Sequence, residues 1–206
     1  MPLIRKPAGP ATAPRPRPEA AGLLVALGSS SAEERWSAAR AVGDIPDADT
    51  AVADALRRES DSRVREALFS SLGRMATPQS TQALIGFLSS DDATLRAGAL
   101  DVLRSMVGVV HEVLPRLLAD PDIDVRIISC ELARSLPSAE ASELLCHLLA
   151  NEPEINVCAA AIDVLAEVGG PAACAVLAAC RDRFPNAPFI GFAIQVATDR
   201  INAQFP

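Results

Sequence analysis

The chain has 206 residues, half of them apolar, and a formal net charge of −7. A chain of this kind can bury the core of one domain or of one extended array, and it contains no run of eighteen apolar residues that could cross a membrane. Aromatic residues make up only 3%, with no tyrosine, and Ala and Leu supply most of the apolar mass, so an all-α fold is expected.

Residues 1–19 differ in composition from the rest. They contain six prolines and a net charge of +3, so the remaining chain carries −10. The proline density forbids a helix, and the few apolar residues cannot offset the entropy of ordering. We therefore predict a disordered Pro/Arg-rich tail over 1–19 and a repeat domain over 20–206. The tail is either an unstructured leader, a ligand for an aromatic groove, or a basic arm for nucleic acid or acidic lipid.

The N-terminus lacks the apolar core of a signal peptide, so a cytoplasmic location is expected. Five cysteines occur, an odd number without a CxxC pair. All lie in apolar helical stretches, which predicts reduced thiols, no disulfide and no bound zinc. These cysteines are Cys130, Cys146, Cys158, Cys174 and Cys180.

An arginine recurs through the body of the chain at spacings of 30, 31 and 30 residues, at Arg35, Arg65, Arg96 and Arg126. Cys158 and then Ile190 occupy the same place in two further units. A fixed period of this size is the signature of a repeat array. Six units of two helices each are therefore predicted between residues 20 and 203.

Within each unit a second helix is predicted to begin four residues before this anchor position. Helix-capping residue types occupy that place in five of the six units. The capping residues are Ser31, Asp61, Asp92, Asp122 and Asn186, with Glu154 in the remaining unit. Apolar residues one before and three, four and seven after the anchor share one helix face and should be buried. Gly43, Gly73 and Gly169 are expected to close second helices.

The repeated pattern of a helix, a short turn with aspartates, and then V-R-x-x-A-x-x-x-L-G resembles HEAT repeats, particularly the short bacterial HEAT-like type. The resemblance implies an α-solenoid of about six HEAT-like helical hairpins. It also implies a partial ladder in which a turn acid meets the arginine of an adjoining repeat. Asp120 and Glu59, each six residues before an anchor arginine, fit the acidic side of that ladder.

Three aspartates lie close together in the fourth unit and could in principle hold a metal ion. Asp122 is better interpreted as a helix cap and Asp124 as a first-turn acid favoured by the helix dipole. The other units repeat the pattern without the full set of carboxylates. We therefore expect no metal site at Asp120, Asp122 and Asp124.

Three enzyme classes share HEAT-like repeats and can be compared with these residues. The metal hydroxylases carry several His-Glu pairs, whereas this chain has only His111-Glu112. The DNA glycosylases need a cationic groove with aromatics, which an acidic body without tyrosine does not offer. The bilin lyases remain the alternative, with Cys146 and His147 as possible nucleophilic and acid–base groups.

The preferred interpretation is a non-catalytic scaffold or regulatory adaptor in the bacterial cytoplasm, without a cofactor, that binds a protein partner on a concave face lined by second helices. The residue five after each anchor lies opposite the buried stripe and should be exposed. This row reads Arg40, Ser70, Asp101, Glu131, Asp163 and Gln195. Either this row is an ordinary solvated face whose charges keep the surface soluble, or Asp101, Glu131 and Asp163 steer a basic segment onto an apolar patch of Ile127 and Ile128. The small neighbouring residues Ala97 and Gly98 should let the segment approach closely.

Four of the six phenylalanines lie in the last 23 residues. Most of these rings are expected to fill the final core layer and close the solenoid. The alternative is a homodimer through an exposed apolar cap. The phenylalanines concerned are Phe184, Phe189, Phe192 and Phe205.

Overall fold

A computed structural model describes residues 20–205, and this part of the chain is a succession of helices without a β-strand. The predicted tail, residues 1–19, lies outside the described residues. The helices are α1 (Ala20–Ala26), α2 (Ala32–Ala41), α3 (Asp49–Arg58), α4 (Ser62–Met75), α5 (Pro78–Phe87), α6 (Ala93–Ser105), α7 (Val107–Leu117), α8 (Ile123–Leu132), α9 (Ser138–Asn151), α10 (Ile155–Val168), α11 (Ala173–Arg183) and α12 (Pro188–Gln204). Short 3₁₀ turns, Val42–Asp44 and Ala133–Ser135, follow α2 and α8.

Consecutive helices pair into six hairpins, from α1 with α2 to α11 with α12. The all-α solenoid of six units is therefore confirmed. None of the helices between residues 20 and 205 combines the length and the apolar content needed to cross a membrane.

Each even-numbered helix is the predicted second helix of its unit. Four of them begin at a predicted cap whose side chain accepts a backbone N–H bond from the first turn, which satisfies a donor that the helix itself cannot pair. These caps are Ser31, Asp61, Asp92 and Asp122. Glu154 precedes α10 without such a bond. The prediction for Asn186 was wrong, because α12 begins one residue later and its cap is Ala187.

The glycines near the helix ends have different roles. Gly169 caps α10 as expected, and Gly43 lies in the 3₁₀ turn after α2. Gly73, however, lies inside α4, which ends at Met75 and is capped by Ala76 in the left-handed region with φ 47°. A Cβ at Gly73 would lie 2.8 Å from Val102 Cγ1 of α6. Gly73 therefore allows close packing of two second helices and does not terminate one.

The core is a continuous apolar seam along the array. The residue seven after the anchor is fully buried in all six units, because this position faces both the first helix of its own unit and the neighbouring unit. These residues are Val42, Leu72, Leu103, Ala133, Leu165 and Ala197.

The two layers of helices pack differently. Second helices contact their counterparts at all five junctions between units, whereas first helices do so closely only between α3 and α5 and between α9 and α11. The second helices therefore form the more closely packed layer, and we call its solvent-facing side the second-helix face.

The anchor side chain ties each second helix to the turn before it. In five units it donates a hydrogen bond to the carbonyl oxygen six residues earlier, which would otherwise be left unpaired at the end of the first helix. The donor–acceptor pairs are Arg35–Ser29 at 2.9 Å, Arg65–Glu59 at 2.6 Å, Arg96–Ser90 at 2.6 Å, Arg126–Asp120 at 2.8 Å and Cys158–Glu152 at 3.4 Å.

Three of the four anchor arginines also reach a carboxylate of the following unit, so the predicted ladder is present and partial. The ion pairs are Arg35–Glu59 with nitrogen–oxygen distances of 2.6 and 3.0 Å, Arg65–Asp92 at 2.9 Å, and Arg126–Glu152 at 2.9 and 3.0 Å. Within residues 20–205 Arg96 makes no ion pair, so the assignment of Asp120 to the ladder was wrong. The Asp120 carboxylate instead accepts the Asp122 N–H at 2.9 Å inside its own turn.

The last unit does not close the solenoid with aromatic rings, contrary to expectation. The inward face of α12 carries the buried residues Ile190, Ile194, Ala197 and Ile201. Phe189, Phe192 and Phe205 are 52%, 73% and 53% exposed, and Phe184 is half-buried. The β-branched isoleucines fill the narrow space against α10, and the described chain has no further helix to cover the rings on the other side.

Candidate binding surface

The row five residues after the anchor lies on the second-helix face, as predicted. Asp101 and Asp163 are exposed, and Glu131 is half-buried between them. Ile127 and Ile128 are also half-buried, because their side chains pack against the core. The predicted apolar patch is therefore small, and partner binding by these five residues stays a prediction.

Two arginines lie within the acidic row and were not foreseen. Arg104 of α6 contacts Glu131 at 2.8 Å and Asp101 at 3.8 Å. Its neighbour along the array, Arg134, contacts Glu131 at 3.1 Å and Asp163 at 2.6 Å. The row therefore offers a basic ligand less free negative charge than three isolated carboxylates would.

The Arg134 guanidinium also pairs with Glu167 of α10. Burial alone would lower the pKa of Arg134, but its hydrogen bonds with Glu167 and Glu131 outweigh that effect and raise it. Arg134 stays charged and links α8 to α10 across the surface.

A groove of about 890 Å³ lies between α4 and α6 on the second-helix face. Phe69 is buried in its floor, and Ala97, Gly98 and Val102 form the opposite wall. Its charged residues are Arg65, Glu66, Arg74 and Asp101. We call this the α4/α6 groove. It contains Asp101 and the small residues Ala97 and Gly98 that the sequence analysis identified.

Two glycines bring the walls of the α4/α6 groove together. A Cβ at Gly98 would clash with the Phe69 ring, and one at Gly73 would press on Val102. Any larger side chain at either position would push α4 and α6 apart. The depth of the groove thus depends on residues that a helix scale ranks as unfavourable.

A smaller polar cavity of about 370 Å³ adjoins the groove, between α2 and α4. Trp36 lies in it with the guanidinium carbons of Arg40 and Arg63 at 4.9 and 5.2 Å from the indole centroid. Such distances are typical of cation–π contacts. Arg74 completes the basic lining, and we call this cavity the arginine pocket.

Sequence reasoning missed the arginine pocket. The signal was present, since Trp36 and Arg40 are four residues apart and must share a helix face. Arg63, two residues before the next anchor, comes from the adjoining unit. Only the packing of α2 on α4 brings it over the same ring.

A sequence profile of HEAT repeats matches residues 20–104 and 110–188, more than half of the chain. The chain belongs to the HEAT-repeat family. No curated protein sequence matches it.

Solved structures similar to this HEAT-repeat protein include Cex1p, at 16% identity over 91% of this chain and 44% of that chain, with a TM-score of 0.50. An archaeal HEAT-like repeats protein from Thermococcus onnurineus NA1 has 17% identity over 91% and 88%, with a TM-score of 0.45. The complex of CpcE and CpcF of phycocyanin lyase from Nostoc sp. PCC7120 has 17% identity over 97% and 100%, with a TM-score of 0.37. At these identities the likeness concerns the fold alone.

Cys146 and His147, the residues considered for a lyase, face different clefts of the HEAT array. His147 lines a cleft of about 860 Å³ between α7 and α9. Cys146 lines one of about 650 Å³ between α9 and α11, because adjacent helix residues point about 100° apart. Burial also raises the pKa of the Cys146 thiol. The structure does not bring the two side chains together as a nucleophile and its base.

The aspartates of the fourth unit accept backbone hydrogen bonds within their turn and at the start of α8. Asp120 accepts from the Asp122 N–H, and Asp122 from the Asp124 N–H, each at 2.9 Å. No cluster of three or more His, Cys, Asp or Glu residues suited to a metal ion occurs between residues 20 and 205. That the protein binds no zinc and forms no disulfide stays a prediction.

Proposed function

We propose that this HEAT-repeat protein is a non-catalytic scaffold or adaptor that binds another protein along its second-helix face. HEAT-like arrays present extended curved surfaces of this kind. A bacterial cytoplasm is the proposed setting, because the repeats resemble the short bacterial HEAT-like type and five cysteines without a CxxC pair suit a reducing compartment.

The observation that carries the proposal is the α4/α6 groove. It combines a buried aromatic floor, slim walls and a charged rim, which is the composition of a protein-binding surface. Its volume of about 890 Å³ accommodates several side chains of a partner segment. Glycine packing sets its depth, so the groove is present before a partner arrives.

The acidic row takes a secondary part in this proposal. Asp101 belongs to the rim of the groove, whereas Glu131 and Asp163 are engaged by Arg134. Asp101 keeps more free charge than the other two, because only a long contact of 3.8 Å to Arg104 neutralises it, so we expect it to take a basic residue of the partner on the α6 side of the groove.

The experiment fills the groove without disturbing the core. Ala97 is exposed in the groove wall, and Ala97→Trp places an indole where the partner would lie. Ala175→Trp is the matched control, since Ala175 is exposed on the first helix α11. Both variants should keep the helical circular dichroism spectrum of the parent.

The tagged proteins are used to capture partners from an extract of the source organism, and the captured proteins are quantified by mass spectrometry. The proposal expects Ala97→Trp to lose partners that the parent and Ala175→Trp retain. Capture unaffected by Ala97→Trp would move the binding surface away from the groove.

A further inference from the structure

The arginine pocket carries positive charge that the described protein neutralises only in part. Arg104 and Arg134, farther along the same face, each contact at least two carboxylates. Arg40 and Arg74 make no ion pair within residues 20–205, and Arg63 has only a 3.8 Å contact between side chains that are both about two-thirds exposed. Exposed contacts of that kind contribute little. In a chain of net charge −7, this local excess is unusual.

Arg74 is held in position within the pocket. Its Nη2 donates to the Arg40 carbonyl at 2.7 Å and to Ser71 Oγ at 3.0 Å. Gly43 leaves the space for this guanidinium, because a Cβ there would collide with it. The N–H groups on Nη1 and Nε of Arg74 make no hydrogen bond within the described chain and are available as single donors to an oxyanion.

Arg40 and Arg63 are oriented by the Trp36 ring. Cation–π contact restrains two otherwise flexible side chains while leaving their N–H edges available. Glu66 is the one carboxylate in the pocket wall, so the lining of the pocket keeps a positive balance.

The arginine pocket and the α4/α6 groove form one continuous surface. Glu66, Ser70 and Arg74 line both, so a ligand side chain in the groove lies next to the guanidiniums. A ligand that fits this surface carries an apolar side chain beside negative charge.

We propose that the arginine pocket binds the carboxylates of an acidic protein segment whose neighbouring apolar residue enters the α4/α6 groove. This inference rests on the proposed scaffold function and names the chemistry of the partner. A protein segment is favoured over nucleic acid because the body of the chain is acidic, which opposes a long polyanion but not a few carboxylates.

Trp36 makes the site directly observable, since it is the only tryptophan of a chain without tyrosine. The probe is a short synthetic peptide with one leucine beside three glutamates in a Gly/Ser background. Its titration should change Trp36 fluorescence with a Kd of about 0.1–1 mM, as expected of a short flexible ligand, and more weakly in high salt.

Two comparisons locate the effect in the pocket. Replacing the glutamates of the peptide by glutamine should weaken binding at least about tenfold, as should the variant Arg40→Gln/Arg63→Gln. The charge-matched control Arg58→Gln/Arg116→Gln alters exposed arginines of the first helices α3 and α7 and should bind like the parent.

Several outcomes would overturn the inference. They are equal binding of the glutamine peptide, no binding at about 1 mM, equal loss in the control variant, or exclusive binding of a phosphoserine peptide or of a short single-stranded DNA. If the acidic peptide fails while Ala97→Trp still loses captured partners, the scaffold function stands and only the partner chemistry is wrong.

Discussion

At the residue scale, the anchor position joins each second helix to its own turn and to the next unit. The sequence predicts where the anchors lie, because they recur at a nearly constant spacing and the helical period determines which of their neighbours are buried. It does not predict which acid each arginine reaches. Arg35 and Arg126 bind a glutamate six residues before the next anchor, whereas Arg65 binds Asp92, a cap four residues before it. Arg65 reaches the cap because the residue six before the next anchor is Ser90, whose side chain has no carboxylate.

The Arg126–Glu152 pair should be costly to break from one side. Arg126 and Glu152 are 12% and 4% exposed, so Arg126→Met leaves a buried carboxylate without a cationic partner, held only by the Glu154 N–H. We expect a loss of about 3–5 kcal/mol in the free energy of unfolding, measured by urea denaturation.

Arg96→Met is the matched control and should lose only about 1 kcal/mol, because Arg96 bonds a carbonyl and no carboxylate of the next unit. The double change Arg126→Met/Glu152→Leu should recover most of the loss. Similar losses for the two single variants would contradict this account.

Glu59 should make stability depend on acid pH. Its hydrogen bonds with Arg35, aided by those from the Asp61 and Ser60 N–H groups, outweigh burial and lower the pKa of Glu59 to about 2. A carboxylate with a lowered folded-state pKa stabilises the protein above its unfolded-state pKa, and that contribution is lost as pH falls toward the folded-state value. We expect on the order of 1–3 kcal/mol, after allowing for solvent screening, to disappear between about pH 4.5 and pH 2.

Thermal unfolding of the parent and of Glu59→Gln across that range provides the measurement. The variant should be less stable near neutral pH and should converge with the parent at the acid end. A constant difference between the two proteins would show that the charge of Glu59 does not matter.

At the scale of helices, α12 shows where the sequence pattern and the structure differ. Phe189 occupies a place that is apolar and buried in the four preceding units, and the periodicity therefore predicts burial. The pattern describes one face of a helix but not whether a further helix lies against it. In the last described unit the inner seam is complete with isoleucine and alanine, and the rings remain outside.

Because the Phe192 side chain is 73% exposed, Phe192→Glu should leave the melting temperature almost unchanged. Ile194→Glu, two residues away and 3% exposed, should unfold the last unit, since it buries a charge without a partner. Circular dichroism melting measures both effects. Unfolding of Phe192→Glu would instead show that the phenylalanine rings do fill the last core layer.

Light scattering on the parent and on Phe192→Glu tests self-association. The exposed rings of Phe189 and Phe192 predict a parent that dimerises at high concentration and a Phe192→Glu variant that does not. A parent that remains monomeric would leave the rings as isolated surface residues.

The α4/α6 groove also belongs to this scale, and the sequence predicted it only in part. Slim residues beside Asp101 indicated close approach, but they could not show that Phe69 of the neighbouring unit fills the space beneath Gly98. Contacts between units depend on the pitch of the array. A single unit read alone does not determine that pitch.

At the scale of the whole molecule, the junctions between units are unequal. The second helices α6 and α8 pack against each other less than any other neighbouring pair of second helices, and the Arg104–Glu131 ion pair spans this junction. In a linear array the stability is the sum of units and of nearest-neighbour interfaces, so cooperativity is weakest where an interface is slight.

Unfolding should therefore divide between units one to three and units four to six. Trp36 reports on the first half, and far-ultraviolet circular dichroism reports on all helices, so the two urea transitions should not coincide. Arg104→Met should separate them further, while Arg58→Met should not. Coincident transitions in both variants would show that the array unfolds as one unit.

The slight α6–α8 junction also has a consequence for the entropy of recognition. A long ligand that spans both halves must freeze their relative motion, and part of its contact energy is lost in doing so. A short segment held within units one to three, between the arginine pocket and the α4/α6 groove, avoids this cost. The unequal packing along the array thus favours compact ligands on its first half.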